Sequence, residues 1–477
     1  MQTIETTPPV PVQTAAVGWW PLVLVLAGTF VTFLDFFIVN VALPSIDAEL
    51  GAGPSALSLV VAGYGLTFAA GMITGGRLGD LFGRRRMFAI GLALFALTSA
   101  ACGFAPTIGV LVTARFLQGA AGALLTPQVL AIIGTVYSGA RRGRAFAAYG
   151  FAMGIAGVLG QLLGGALISA DLAGLGWRII FLINLPIGLL ALPRLVRVIP
   201  DLRAERTGLD GVGTVLVTLA ALALVLPLVE GREHGWPVWC WALLAIAPVL
   251  GMLFVGQQRR RGAAGQAPLV DLALFRQRRF TVGLLMAVTF CSVPPSLFFV
   301  LALFLQQGRG FHPLFAGTLF VTVGVGYFAA TMVALPIGQR IGAQVLALGA
   351  LMVAAGCALL AASVSAPSSL ALLPGLAVAG IGIGLVLVPL AATVLDGLDP
   401  RHAGAASGVL SMAQQVGGAV GVAITGLVFF GRPSIAAGFT ASMWLIVGLT
   451  VIAALLVQLL GRVRAEAGEA APATAAG

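Results

Sequence analysis

Fourteen stretches of about 18 or more predominantly apolar residues, each cut off by arginine, glycine or proline, limit how this chain can fold. They fall near residues 18–42, 56–75, 87–105, 107–128, 145–169, 178–199, 209–229, 238–256, 280–306, 313–337, 344–364, 368–394, 404–430 and 438–460. A bilayer core takes ~20 apolar residues per helix, so 477 residues leave room for fourteen spans with short loops. The expected fold is all-α and integral to a membrane. Only 9% of residues are charged and the mean hydropathy is +1.06, which excludes a water-soluble globule and a disordered chain. The first run follows a tail with no basic residue and continues into Asn40 and Pro44. It lacks the basic flank and small-residue cleavage site of a signal peptide and is expected to be retained.

All 26 basic residues are arginine. Without lysine the chain has no Walker A phosphate grip and no Schiff-base residue. The arginines also encode topology. With both termini in the cytoplasm, 21 of the 26 lie in inner loops or the C-terminal tail. Arg178, Arg232, Arg309 and Arg432 lie outside, and Arg115 lies within a span. This bias sets orientation, and it reads the net charge of +10 as a topology signal instead of a nucleic-acid footprint. An arginine-, alanine- and glycine-rich chain of this kind accords with a bacterial plasma (inner) membrane. Trp19, Trp20, Trp177, Trp236, Trp239 and Trp444 fall near span ends, where amphipathic rings suit the interface. Cys102, Cys240, Cys291 and Cys357 show no metal-ligand spacing and are expected to pack as small apolar residues. His234, His312 and His402 are placed in loops. With no G-x-S-x-G or H-E-x-x-H motif, no enzyme activity, metal or cofactor is expected.

The loop after the second span reads Gly76-Arg77-Leu78-Gly79-Asp80-Leu81-Phe82-Gly83-Arg84-Arg85-Arg86. The loop after the tenth, Gly338-Gln339-Arg340-Ile341-Gly342, is a shorter echo of it. If spans nine to fourteen repeat spans one to six, both loops join the second and third helices of a six-helix half. The chain then divides into a tail (1–17), an N-terminal bundle (18–199), two inserted spans (209–256), a C-terminal bundle (280–460) and a tail (461–477). Paired halves around a central site are a transporter plan.

Asp35 is the one acid deep within a span and Arg115 the one base. Counted along their helices at 1.5 Å per residue, both reach the outer half of the membrane, at compatible depths. A structural ion pair is one reading, but such pairs rarely yield net stability. Proton coupling is the other: burial and a nearby guanidinium act oppositely on a carboxylate, so a site whose surroundings alternate changes its proton affinity. Asn40, Gln118, Gln161, Gln306 and Gln415 are amides near membrane depth that could line a substrate cavity; Gln128 and Gln414 are others. Gly160, Gly164 and Gly165 on the fifth span, and Gly417, Gly418 and Gly421 on the thirteenth, allow close helix approach. Gly380-Ile381-Gly382-Ile383-Gly384 lies in a long apolar run and is read as packing, not as a dinucleotide turn.

These motifs resemble a known family. The run from Gly76 to Arg85 resembles the loop 2–3 signature of the major facilitator superfamily. Leu34 to Pro44, with Asp35 and Asn40, is similar to the first-helix motif of its drug:proton antiporters, and Arg115-Phe116-Leu117-Gln118-Gly119 to the fourth-helix motif. Trp177 to Gly188, with Asn184 and Pro186, is similar to a signature of the fourteen-span branch; so are Asp210 to Gly213, Gln306 to Gly317, Ala406-Ser407-Gly408 and Gln415 to Gly418. The resemblance spans about residues 18–460. It implies a proton-driven exporter of lipophilic drugs or antibiotics, working by alternating access and as a monomer. Asp35 and Arg115 carry over as proton-linked residues. Gly76, Asp80, Gly83, Arg84 and Arg85 carry over as a cytoplasmic latch. The fifth-helix motif Gly-Pro-x-x-Gly-Gly is here Gly160-Gln161-Leu162-Leu163-Gly164-Gly165, which is expected to remove a kink. Phe37 stands where the family often has threonine. The tenth span carries no acid, which favours neutral, anionic or monocationic substrates. The rival readings are a proton-linked uptake symporter and a non-transporting receptor on the same scaffold.

Overall fold

The computed structural model describes residues 19–137, 139–198, 210–231, 234–266, 268–270, 272–395 and 403–469. Among them there is no strand. The spans are α1 (Trp20–Leu50), α2 (Gly53–Phe82), α3 (Arg84–Gly103), α4 (Ile108–Val136), α5 (Gly139–Ala170) and α6 (Gly176–Leu195), then α7 (Gly211–Glu230) and α8 (Val238–Ala263). The remainder are α9 (Arg278–Gly308), α10 (Pro313–Ile341), α11 (Gln344–Ala362), α12 (Ser369–Leu395), α13 (Ala403–Phe430) and α14 (Ile435–Glu469). Thirteen are long and apolar enough to cross a bilayer as they stand. α5, bent by 41° between Ala148–Gly157 and Leu159–Ala170, makes the fourteenth.

That bend corrects an expectation. Replacing the motif proline with Gln161 does not straighten α5; the bend falls where Gly154, Gly157 and Gly160 follow one another, and glycine runs kink helices as proline does. Several helices also outrun their apolar stretches. α1 continues through Pro44 to Leu50, and α4 through Pro127 to Val136. Neighbouring helices resatisfy the groups that an intramembrane proline frees, so a proline there is a poor stop signal. Trp177 is a second correction. It is fully buried, and its Nε1 donates to Glu49 Oε2 at 2.6 Å, so it belongs to the protein interior and not to a lipid-facing belt.

The two loop motifs share one backbone solution. Gly83 (φ 95°) and Gly342 (φ 59°) both lie in the positive-φ region, and each N–H bonds the carbonyl four residues back, Gly79 and Gly338. Each glycine closes the second helix of its half, and Gly83 also opens the third, which Ala343 does in the C-terminal half; a Cβ would strain either glycine. In the C-terminal half, glycines set the packing. A Cβ on Gly380 would stand 2.1 Å from Val323 O, and one on Gly382 2.5 Å from Gly349 O. The Gly380–Gly384 run thus seats α12 between α10 and α11. The inserted pair α7 and α8 pack on each other, with α7 against α2 and α13, and α8 presents Trp241, Val249, Met252 and Leu253 outward. Asp210 caps α7 by accepting from Gly213 N–H at 2.8 Å, and Gln257 and Gln258 of α8 donate to the same carboxylate at 2.7 and 2.6 Å.

Candidate functional site

The site begins with Asp35, which α1 holds fully buried beside Arg115 of α4. Arg115 Nη1 pairs with Asp35 Oδ2 and also donates to Gln118 Oε1 at 2.8 Å. Gln118, one helical turn on from Arg115, donates from Nε2 to Asp35 Oδ1 at 2.9 Å, closing a three-residue ring. The guanidinium is fixed from two more sides: Nε donates to Val60 O at 3.0 Å, and its carbon lies 4.4 Å from the centre of the Tyr64 ring. Cation–π contact and a backbone acceptor are the partners a buried guanidinium needs once water is gone.

Three further residues complete the cluster. Asn184 Nδ2, from α6, donates to Asp35 Oδ1 and to Ser99 Oγ, both at 2.9 Å. Ser99 Oγ, on α3, donates in turn to Phe181 O at 2.8 Å. The Cys102 thiol donates to Gln118 Oε1 at 3.4 Å. Donors from α4 and α6 thereby meet on one carboxylate of α1, and residues of α2 and α3 hold those donors in place. Asn184 stands in the Trp177 to Gly188 run, which gives it no individual role, and Ser99, Cys102 and Tyr64 carry no functional signal in the sequence. Single small polar residues in apolar helices look like ordinary packing until the fold brings them together. Among the described residues, Arg115 Nη2 and Asn184 Oδ1 are buried without a hydrogen-bond partner.

The proposed cavity amides divide. Gln118 belongs wholly to the Asp35 cluster. Gln161 Nε2 and Asn40 Nδ2 donate to the same carbonyl, Phe37 O, at 2.8 and 3.0 Å, joining α5 to α1 two residues beyond Asp35. Gln306 lies on a π-helical turn, Phe304–Gly308, and its Nε2 crosses to Val41 O at 2.9 Å. Gln415 is half-buried on α13 and is not brought to the others. On the fifth helix, Gly160 and Gly164 face Leu34 and Ile38 of α1, while Gly165 faces Pro313.

Contacts between the halves gather toward the arginine-poor end. Ser169 Oγ of α5 meets His312 Nδ1 at 3.0 Å and accepts from Leu314 N–H at 3.2 Å. The Phe37 and Phe298 rings meet edge-on with centres 5.5 Å apart. A cavity of about 290 Å³, lined by Ser55, Ser58, Val229, Gly426 and Phe430 among others, sits on this seam between α2, α7 and α13. At the opposite end, Arg84 Nη1 donates to Ala131 O at 3.3 Å. Gly79 lets Gln128 of α4 in close, since a Cβ there would meet its side-chain oxygen, and Gln128 Nε2 donates to Gly75 O at 2.6 Å. A Cβ on Gly76 would make only ordinary contact with Pro127. The side chains of Asp80 and Ser407, with His402 and Asp396, lie outside the described residues. Among the described residues no group of His, Cys, Asp and Glu is arranged to hold a metal. All four cysteines are buried and free.

Residues 25–422 match the Major Facilitator Superfamily, as does an overlapping stretch at 296–476. The chain is 38% identical over 424 residues to a probable actinorhodin transporter of Streptomyces coelicolor, covering 87% of this chain and 72% of that one. It is 34% identical over 497 residues to a puromycin resistance protein of Streptomyces alboniger, covering 96% of each. It is 36% identical to a cephamycin export protein of Amycolatopsis lactamdurans, with 84% and 83% coverage. Among solved structures, an inward-facing, unoccupied bacterial homologue of the human lysosomal transporter Spinster superposes with a TM-score of 0.68 at 18% identity, covering 93% of this chain and 96% of that one. An inward-open xylose transporter of E. coli gives 0.65 at 17% identity, with 92% and 95% coverage. The loop signature, the Asp35–Arg115 pair and the helical architecture agree with these matches: the chain belongs to the Major Facilitator Superfamily and to its drug-export branch.

Proposed function

We propose that this chain exports a small lipophilic compound from the cytoplasm of a bacterium in exchange for protons, by alternating access between its two halves. One observation carries the proton half of the reading: a fully buried acid on α1 is held by three side-chain donors from two other helices, Arg115 and Gln118 of α4 and Asn184 of α6. Each of these partners presents N–H, which suits a carboxylate. A proton on Asp35 introduces an O–H among donors, and the cluster must rearrange to accommodate it. Linking that rearrangement to the seam between halves makes proton binding and helix movement one event. α1 is placed to do so, because its next turns carry Phe37 and Val41, whose carbonyls accept from Gln161 and Gln306. The export half rests on relatives named for antibiotic export or resistance.

In the outward-open state Asp35 takes a proton from the more acidic exterior as substrate leaves. In the inward-open state it gives the proton to the cytoplasm as substrate binds. Arg84 and Arg85, beside Gly83, act with Asp80 as the latch at the cytoplasmic end. One proton crossing ~100 mV supplies ~2.3 kcal/mol, and each pH unit adds ~1.4 kcal/mol. Together these sustain a gradient of about a few hundred-fold for a neutral compound. The protein works as a monomer in the inner membrane, with both termini cytoplasmic and no cofactor.

The test is a resistance screen in a drug-sensitive host expressing the chain, on a panel that includes puromycin, a cephamycin and tetracenomycin C. Wild type should protect against at least one compound, and Asp35→Asn should not. An uncoupler should raise accumulation of that compound in wild-type cells. If the uncoupler lowers accumulation, the chain is an uptake symporter and the export reading fails.

A further inference from the structure

Of the residues that hold Asp35, only one is free to turn. Gln118 cannot, because its Oε1 already accepts from Arg115 and Cys102, and reversing the amide would press an NH₂ against the guanidinium. Arg115 is fixed by Val60 O and the Tyr64 ring. Asn184 differs. Both its donor bonds leave from Nδ2, to Asp35 and to Ser99, while its Oδ1 is buried with no partner among the described residues. An orphaned buried carbonyl oxygen costs free energy and calls for an explanation. Here the explanation is chemical: it is the acceptor that a protonated Asp35 lacks.

The surrounding backbone adds a second, independent observation. α6 is loosened here but not broken: Ile183 keeps helical torsions (φ −60°, ψ −22°) and its N–H bonds Ile179 O, while Pro186, having no N–H, cannot donate to Leu182 O as a helix requires. Ser99 Oγ braces this turn, accepting from Asn184 and donating to Phe181 O. The amide that touches Asp35 therefore sits in the turn of its own helix that Pro186 leaves one bond short.

We propose that Asn184 is a positioning residue that reads the protonation of Asp35. With Asp35 ionised, Asn184 gives N–H to it, as seen here. When Asp35 gains a proton, the Asn184 amide turns over and Oδ1 accepts the new O–H. The same rotation puts Oδ1 where Nδ2 stood, so Ser99 loses its donor and faces a carbonyl; its hydroxyl turns to donate to Oδ1 and releases Phe181 O. The turn of α6 from Phe181 to Asn184 thus loses a side-chain bond when the proton arrives. This inference rests on the proton-coupling reading above. The titratable groups around Asp35 are Arg115 of α4, in direct contact, and, one group further out, Tyr64 of α2 against the guanidinium and Cys102 of α3 on Gln118; α6 contributes the uncharged amide alone.

The sequence makes the test clean, because Asn40 and Asn184 are its only two asparagines. The full chain, labelled in the side-chain amide of asparagine and the carboxyl of aspartate, is reconstituted in lipid and followed by magnetic resonance as pH is varied. Comparison with Asn40→Gln assigns the Asn184 signal, and Asp35→Ala assigns the Asp35 carboxyl. The Asn184 amide signal should move with the same midpoint as the Asp35 carboxyl, and should become independent of pH in Asp35→Ala. If the Asp35 carboxyl titrates while the Asn184 signal stays fixed, the amide does not read the proton and this inference is overturned. If the Asp35 carboxyl does not titrate at all, the proton-coupling reading itself is overturned. Wild-type protein carries the decisive comparison, so it does not depend on a Asn184 variant folding.

Discussion

The two halves share an architecture but use buried polarity in opposite ways. In the N-terminal half, charges and amides bond from helix to helix: Asp35 to Arg115, Gln118 and Asn184, and Gln161 to Phe37 O. In the C-terminal half, the buried polar groups among the described residues are hydroxyls, turned back on their own helices except at Thr425, whose Oγ1 has no partner. Ser296 donates to Ser292 O, Ser442 to Gly438 O and Thr450 to Ile446 O. Close backbone contact at Gly380, Gly382 and Gly349 replaces polar cross-links there. On the proton-coupling reading proposed above, the half tied by charges is the one that senses the proton, and the half tied by backbone contact is its counterpart. Gly83 and Gly342 take positive φ in both halves alike.

The comparison breaks most sharply at Arg115. Arg115→Met strands a buried carboxylate and should destabilise the protein by about 3–5 kcal/mol, read as a large fall in thermal midpoint and yield. Combining it with Asp35→Asn should restore yield without restoring export. No position in the C-terminal half should show that pattern; Ser296→Ala should leave both within about two-fold, since a hydroxyl returned to its own helix is worth little.

In the apolar half the damaging change is volume. Gly382→Leu drives a side chain into Gly349 and Val353 and should cost about 1–3 kcal/mol or more through overpacking, with a pH-independent loss of folded protein. The turn glycines sharpen the contrast. Gly83→Ala and Gly342→Ala should each cost about 1–3 kcal/mol in backbone strain, measured as matching falls in thermal midpoint. Only Gly83→Ala, next to Arg84 and Arg85, should also slow export. The smallest effect is expected at the seam. Gln306→Ala removes one hydrogen bond between halves, worth about 0.5–1.5 kcal/mol, and should raise labelling of a Ser58→Cys reporter by a membrane-impermeant maleimide.

The sequence made the spans and the central pair legible for a plain physical reason. Apolar runs are long and uninterrupted, and a charge inside one is too costly to be incidental. Asp35 and Arg115 stood out on that ground, and the structure joins them. What hid Asn184 and Ser99 is that a lone amide or hydroxyl in a helix has a cheap local explanation, and only three-dimensional convergence removes it. Trp177 misled because nearness to a span end does not say whether a ring faces lipid or Glu49. Gln161 misled because proline is one cause of a bend and successive glycines are another.

The most direct measurement of the central claim is proton movement in everted vesicles whose interior has been acidified. The compound identified by the resistance screen is added while the pH gradient is followed with a fluorescent amine. Wild type should dissipate part of the gradient as the compound is carried inward, and Asp35→Asn, present at equal amount, should not. Transport of the compound by wild type with no change in the gradient, or equal dissipation by Asp35→Asn, would contradict proton coupling at this site.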